Sequence, residues 1–359
     1  MKTQNNILYL IICLFFSACT GIVNEDVELE DVISFAVLDQ NDNPIEEVIG
    51  DGQTIIKLRA IIPSDADISF RKVTFKKSDG QFTGIAGDTG EITANADGIA
   101  EVSLDVPLDD GILFLSAEVT DTKEVFKVEK QINLISVNQV IDLAVLDAQG
   151  QPITGTVRAD GTTLLTLRAT VNFNQENFNQ IKFEKSEGTF VGVNANNGLE
   201  LTNDNNQATI TFKVPETIGR IFFRASAVSN TEILKDTFID LERANADGII
   251  IEPSTLTINP NQPIQITTYL TRTVGNVSIG TPAEFKAFQL NSSNEEIEVG
   301  RFTGEQNANT SNASGIISSV SFLADTNDFI DTAAPVFIRV STETDTGTII
   351  SETITLNFT

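Results

Sequence analysis

Asp39-Gln40-Asn41-Asp42-Asn43 sets oxygen-bearing side chains at alternate positions, the pattern by which a loop can close around Ca²⁺. Asp39, Asn41 and Asn43 are the candidate metal ligands. Pro44 and Gly50 stand where an EF-hand loop carries its turn glycine and its late bidentate Glu. A related loop, Asp147-Ala148-Gln149-Gly150-Gln151, keeps only the first acid. Asp and Asn are also common turn residues, so an ordinary turn is the competing and commoner reading. Asp109-Asp110 and Asp325-Asn327-Asp328 are weaker candidates still. No histidine occurs anywhere, which removes Ser-His-Asp, Cys-His and His-ligated metal chemistry together. A glycosidase-like carboxylate pair stays open on composition alone. Sugar rings usually stack on Trp or Tyr; there is no Trp, and Tyr269 is the only Tyr beyond the first nine residues. No glycine-rich phosphate loop sits between a strand and a helix, which adds to the case against an enzyme.

The cysteines are Cys13 and Cys19, both near the N-terminus. Ile7 to Phe16 is an apolar run, far short of the roughly 20 residues a membrane-spanning helix needs. With Lys2 ahead of it, the run reads as a secretory signal. Phe16-Ser17-Ala18-Cys19 follows, and resembles the lipobox of bacterial lipoproteins, with Phe16 in place of the usual Leu. That resemblance implies cleavage after Ala18 and a diacylglycerol on the Cys19 thiol. An unmodified cysteine beside an ordinary cleavage site is the other reading. Lipidation would leave the mature chain with no free thiol and no disulfide, so each domain must stand on its apolar core, which about 110 residues can supply. The acidic stretch Asn24-Glu25-Asp26-Val27-Glu28-Leu29-Glu30-Asp31 resembles the tether of Bacteroidetes surface lipoproteins; a merely solvated linker is an equal alternative.

The chain holds 23 basic and 50 acidic residues, and removing residues 1–18 takes away only Lys2, moving the net charge from −27 to −28. That balance disfavours nucleic acid and anionic membrane surfaces as partners, since both need positive patches, and no nucleic acid is expected.

Any binding residue must be carried by a repeated scaffold. Ala36-Val37-Leu38-Asp39 returns as Ala144-Val145-Leu146-Asp147. From there Leu58-Arg59-Ala60 matches Leu167-Arg168-Ala169, and Phe75, Lys77, Ser78, Gly80 and Phe82 match Phe183, Lys185, Ser186, Gly188 and Phe190. A third, diverged copy keeps Phe285-Lys286 and Val336-Phe337-Ile338-Arg339. Between Phe285 and Phe302 it carries ten residues more than the first copy does between Phe75 and Phe82, so a loop or hairpin around Gln289–Glu298 is longer. Within each copy the period is two: Ala100, Val102, Leu104 and Val106; Ala208, Ile210, Phe212 and Val214; Ser318, Val320 and Phe322. Asp51-Gly52, Asp79-Gly80, Asp97-Gly98 and Asp160-Gly161 mark turns, with Asn206 standing where the first copy has Gly98. Most of the 23 Phe fall on inward positions such as Phe75 and Phe183.

These turn and core residues resemble the bacterial immunoglobulin-like domains strung together in invasin and intimin. The resemblance covers 31–244 well and 247–359 loosely. It implies an all-β chain of three tandem immunoglobulin-like Greek-key β-sandwich domains after a lipoprotein signal peptide: 1–18 signal, 19–30 tether, 31–137, 138–246 and 247–359 domains. Near-absent linkers suggest a stiff rod, on the order of 100 Å at about 3.3 Å per strand residue. The expected function is a non-enzymatic, outer-membrane, cell-surface lipoprotein working as an adhesive or spacer rod. An accessory subunit of an outer-membrane uptake complex is the alternative, and a hydrolase is a distant third because small sandwiches offer little cleft. The expected anchor partner is the outer membrane, through the lipid; the protein or surface partner is unspecified, and no cofactor is expected beyond the candidate Ca²⁺. The longer loop of the third domain makes Asn291, Ser292, Ser293, Asn294, Glu295 and Glu296 the candidate binding segment.

Overall fold

The computed structural model describes residues 32–64, 66, 68–120, 124–173, 178–192, 194–303, 315–325 and 331–359. The signal segment, the tether, Cys19, Asn327 and Asp328 lie outside these. The described chain is built almost wholly of strands. It divides into two compact units at Ser136 and Val137, the second holding two sandwiches.

The first unit pairs two sheets. One has the order β1 (Ser34–Leu38), β3 (Ile55–Ile61), β7 (Ile99–Asp105), β5 (Gln81–Phe82). The other runs β2 (Glu47–Gly50), β9 (Val125–Ser136), β8 (Gly111–Thr120), β4 (Lys72–Lys77), β6 (Thr89–Thr93). β2 joins β9 in parallel while the other pairings are antiparallel. The opening segment thus serves both sheets, and β3 to β4 crosses between them, which gives the immunoglobulin-like Greek key. Alternation explains the burial: Ala100, Val102, Leu104 and Val106 are inside, in one core with Leu58 and Phe82 of the same sheet and Phe75 and Leu115 of the facing one.

The second unit repeats this plan twice. Its first sandwich pairs the sheet β10 (Ile141–Leu146), β12 (Leu164–Val171), β16 (Gln207–Lys213), β14 (Thr189–Val191) with the sheet β11 (Val157–Arg158), β18 (Leu234–Glu242), β17 (Gly219–Ala227), β13 (Gln180–Lys185), β15 (Leu199–Leu201). Phe212 lies edge-on to Phe223 at 4.8 Å in its core. The last sandwich pairs β19 (Gly248–Pro253), β21 (Pro263–Thr271), β25 (Ile316–Leu323), β24 (Arg301–Thr303) with β20 (Thr257–Ile258), β27 (Ile349–Phe358), β26 (Val336–Glu343), β22 (Glu284–Leu290), β23 (Glu296–Glu298).

Two details depart from the sequence pattern. Ser318 does not point inward: Ile317 and Val320 are buried while Ser318 is exposed. The β21–β25 register shifts between Ile266 and Thr268, whose partners are Val320 and Ile317, so β25 carries one extra residue. A bulge of this kind resets the phase that strict alternation assumes. Second, the extra residues of the last sandwich do more than lengthen a loop. In the first two sandwiches the chain visits the four-stranded sheet (β5, β14) before the five-stranded edge (β6, β15). In the last it turns back at once, forming the β22–β23 hairpin with Phe288 opposite Glu298, and reaches β24 afterwards. The insertion is itself the sheet edge.

Candidate interaction surface

Among the described residues one turn module occurs six times, and it contains both loops singled out from sequence. At Asp39, Asn95, Asp147, Asn203, Asn291 and Thr344, the backbone N–H donates to the carbonyl four residues on, at 2.8–3.0 Å. The first side chain then accepts from the N–H four residues on, and in the five Asp and Asn cases also from the N–H two residues on. The fourth residue takes a left-handed φ: Asp42 66°, Gly98 80°, Gly150 76°, Asn206 56°, Asn294 61° and Gly347 78°. Asx and Thr side chains cap such hairpins because they satisfy backbone donors that the ladder leaves over. Gly98 has a second reason to lack a side chain, since a Cβ would stand 2.1 Å from the Ile62 carbonyl oxygen.

This geometry accounts for the candidate calcium loop. Asp39 Oδ1 accepts from the Asn41 and Asn43 N–H groups, and Oδ2 accepts from Asn43 Nδ2 at 3.0 Å. The Asn43 side-chain amide, with its backbone N–H next, holds the Asp39 carboxyl below the usual carboxylate range. Asp42 is tied to Lys57 at 3.0 Å and Arg59 at 2.7 Å, and Arg59 also meets Glu101. Asp147 makes the same two backbone contacts without Asn neighbours. The arrangement is an internally hydrogen-bonded turn. Asp109 accepts from the Asp110 N–H and Asp325 pairs with Arg301. Among the described residues no three or more acid, His or Cys side chains converge on a metal-sized site.

The candidate binding segment is the tip of the β22–β23 hairpin. Asn291 caps the turn, Asn294 supplies the left-handed residue, and Asn291 Nδ2 donates to Glu295. Ser292 and Ser293 are exposed at the apex. Glu296 does not project freely: it bridges Arg339 and Lys286, each at 2.7 Å, and the Arg339 hydrogen bond foremost holds its carboxyl below the ordinary range. Arg339 and Lys286 also cover the face of Phe288, at 4.7 and 5.6 Å from its centroid. Leu290 and Ile297, 43% and 48% exposed, flank the tip.

Within the second unit the two sandwiches are joined through a buried polar junction that sequence reading missed. Ser278, fully buried, donates from Oγ to the Ala159 carbonyl at 2.7 Å and accepts from the Ala244 N–H at 2.8 Å. Its own N–H returns a bond to the Ala244 carbonyl. Asn276 N–H donates to the Asp160 carbonyl, Asn276 Nδ2 to Glu216, and Ile279 N–H to the Glu216 carbonyl. Asp345 receives Arg272 at 2.8 Å and the Asn245 N–H at 2.8 Å, with Arg158 at 3.5 Å. Burial pushes the Asp345 carboxyl up, but these donors and charges outweigh it and hold it below the ordinary value. Burial likewise pushes Asp160 up, and the Thr163 and Thr162 donors win.

A second feature also escaped the sequence. Phe222 and Phe238 are directly paired on the outer face of the five-stranded sheet and stay 55% and 49% exposed, their rings 6.4 Å apart. The alternation Ile221-Phe222-Phe223-Arg224 contains the signal, because only one of two adjacent Phe can face the core. Around them lies a shallow depression of about 480 Å³ lined by Ser186, Arg224, Asp236 and Thr237 among others. Tyr269 is a half-buried strand residue of β21.

No protein-family model and no curated protein matches the chain. Among solved structures it is similar to the Yersinia pseudotuberculosis adhesin InvE, at 16% identity over 61% of this chain and 59% of that one, with a TM-score of 0.42. It is similar to Yersinia pseudotuberculosis InvD at 15% identity over 92% and 99%, TM-score 0.37. Invasin, described as a bacterial integrin-binding protein, aligns at 13% identity over 91% and 60%, TM-score 0.32. The chain spans about three fifths of the InvE and invasin chains. The immunoglobulin-like assignment rests on the strand order and register given above.

Proposed function

We propose that this chain is a non-enzymatic cell-envelope lipoprotein, held in the outer membrane by a lipid on Cys19 and presenting its sandwiches at the cell surface as an adhesive or spacer array. The observation that carries this reading is the junction around Ser278. A module that transmits position gains from a linker whose backbone groups are hydrogen-bonded on both sides, whereas a flexible linker would let the outer domain wander. Arg243 to Ala246 is such a linker: Ala244 and Ala246 are buried, and Ser278, Asp345 and Arg158 hold its backbone. Catalysis would instead call for a cleft with convergent groups. The described depressions lie on sheet faces and strand flanks.

The third sandwich is the contact domain in this reading. It is farther along the chain from Cys19 than the other two, and it alone rebuilds its sheet edge as a projecting hairpin with Leu290 and Ile297 exposed beside the Asn291–Glu295 turn. Replacing Leu290 and Ile297 by Ser and Glu295 by Arg leaves the core untouched and is expected to abolish attachment of producing cells to their target surface. Attachment unchanged in that variant rejects the hairpin as the contact. Separately, metabolic labelling with a radioactive fatty acid is expected to mark the wild-type protein and not Cys19→Ser; an unlabelled wild type rejects the anchor.

A further inference from the structure

The exposed face of β17 and β18 is charged in columns. Arg220, Phe222 and Arg224 stand in one line along β17, and Asp240, Phe238 and Asp236 stand opposite them along β18. Arg220 reaches Asp240 through two bonds of 2.8 and 3.0 Å, and Arg224 reaches Asp236 through two of 2.7 and 2.9 Å. Arg220 also lies over the Phe238 ring, 3.9 Å from its centroid. All four charged side chains remain about half exposed. The result is an apolar pair bounded above and below by two ion pairs whose dipoles point the same way across the sheet. The first sandwich has no such pattern at these positions: Ile112, Phe114 and Ser116 face Asn133, Gln131 and Glu129.

We infer that this face binds the same face of a second copy, about a twofold axis parallel to the strands and lying between β17 and β18. That axis carries each copy's basic column onto the other's acidic column. Arg220 then meets Asp240, Phe222 meets Phe238, and Arg224 meets Asp236, so every charge faces its opposite and the ion-pair dipoles stack antiparallel. The alternative in-plane axis, perpendicular to the strands, puts Arg220 over Arg224 and Asp240 over Asp236. Like charges oppose that arrangement. Because an axis along the strands preserves their direction, the two copies associate side by side with the same polarity. The inference stands independently of the lipoprotein reading.

Two strands of nine residues offer a face about 30 Å long and about 10 Å wide, on the order of 300 Å² per copy. Standard stable interfaces bury about 800 Å² per partner, so this contact belongs to the weak, transient class. The full chain's net charge of −27 opposes it at low salt and is largely screened at about 0.15 M.

The test is sedimentation equilibrium of the full chain up to about 1 mM at physiological ionic strength, where weak contacts become half occupied. Four variants accompany it: Phe222→Ser, Phe238→Ser, the double Arg220→Asp/Arg224→Asp, and a column-exchanged chain carrying Arg220→Asp, Asp240→Arg, Arg224→Asp and Asp236→Arg. The exchange keeps composition, net charge and internal ion pairs. Wild type is expected to dimerise, both Ser variants to weaken dimerisation about tenfold or more, and the double variant to lose it. The exchanged chain is expected to dimerise with itself, because its two columns are again opposite in sign across the same axis. A monomeric wild type overturns the inference. So does dimerisation indifferent to Phe222→Ser, or a folded column-exchanged chain that stays monomeric. Circular dichroism confirms that each variant is folded.

Discussion

Ser278→Ala removes one oxygen from the junction between the second and third sandwiches and little volume. That oxygen serves two buried backbone groups, the Ala159 carbonyl it donates to and the Ala244 N–H it accepts from. Each group left without a partner costs about 1–3 kcal/mol, and a total of about 2–4 kcal/mol allows for partial rescue by water. In a unit of this size 1 kcal/mol shifts Tm by about 2–4 °C, so the loss is on the order of 5–10 °C. The loss is not spread evenly, because the junction belongs to neither sandwich core. Calorimetry of the wild type is expected to show the two sandwiches melting in one transition, and Ser278→Ala to split that transition in two. A variant that melts within about 1 °C of wild type, in one transition, refutes the claim that Ser278 couples the sandwiches.

Phe223→Ala opens the core of the second sandwich and is expected to cost about 3–5 kcal/mol, whereas its neighbour Phe222→Ala, outside, costs under about 1 kcal/mol; chemical denaturation of both variants measures the contrast. Gly98→Ala meets both a left-handed φ and the Ile62 carbonyl, so a loss of about 2 kcal/mol or more is expected from the same assay. Asp160 and Asp345 have carboxyls held below their unfolded value of about 3.9, so the stability they add is present above that pH and fades as pH falls through the lower folded value. Acid titration of Tm is expected to fall less steeply in Asp345→Asn than in wild type; equal slopes contradict the assignment. Since the Asp39 carboxylate is occupied by its own loop, millimolar Ca²⁺ or chelator is expected to leave Tm unchanged, and a Ca²⁺-dependent rise that Asp39→Ala abolishes refutes the turn reading.

The fold was legible because it depends on local rules. Alternation set the buried face of β7 and β16, and the glycines of Asp51-Gly52, Asp79-Gly80, Asp97-Gly98 and Asp160-Gly161 all take left-handed φ, as does Asn206. Ser318 was misplaced because a bulge in β25 is one residue of register, visible only against its partner strand. The rebuilt sheet edge was visible as a length difference but not as a change in strand order. The junction was invisible for a stronger reason: Ala159, Ala244 and Ser278 are unremarkable residues far apart in sequence, and only the packed unit brings their polar atoms together. Phe222 and Phe238 fell between these cases. Their outward phase was written in the alternation, but treating phenylalanine as core by type concealed it.

Protease digestion of intact producing cells, followed by immunoblot against the third sandwich with a periplasmic protein as control, tests the central claim most directly. An array anchored through Cys19 and facing outward predicts loss of the third sandwich while the control survives. Protection of that sandwich until the outer membrane is opened would place the protein inside and contradict the adhesive reading.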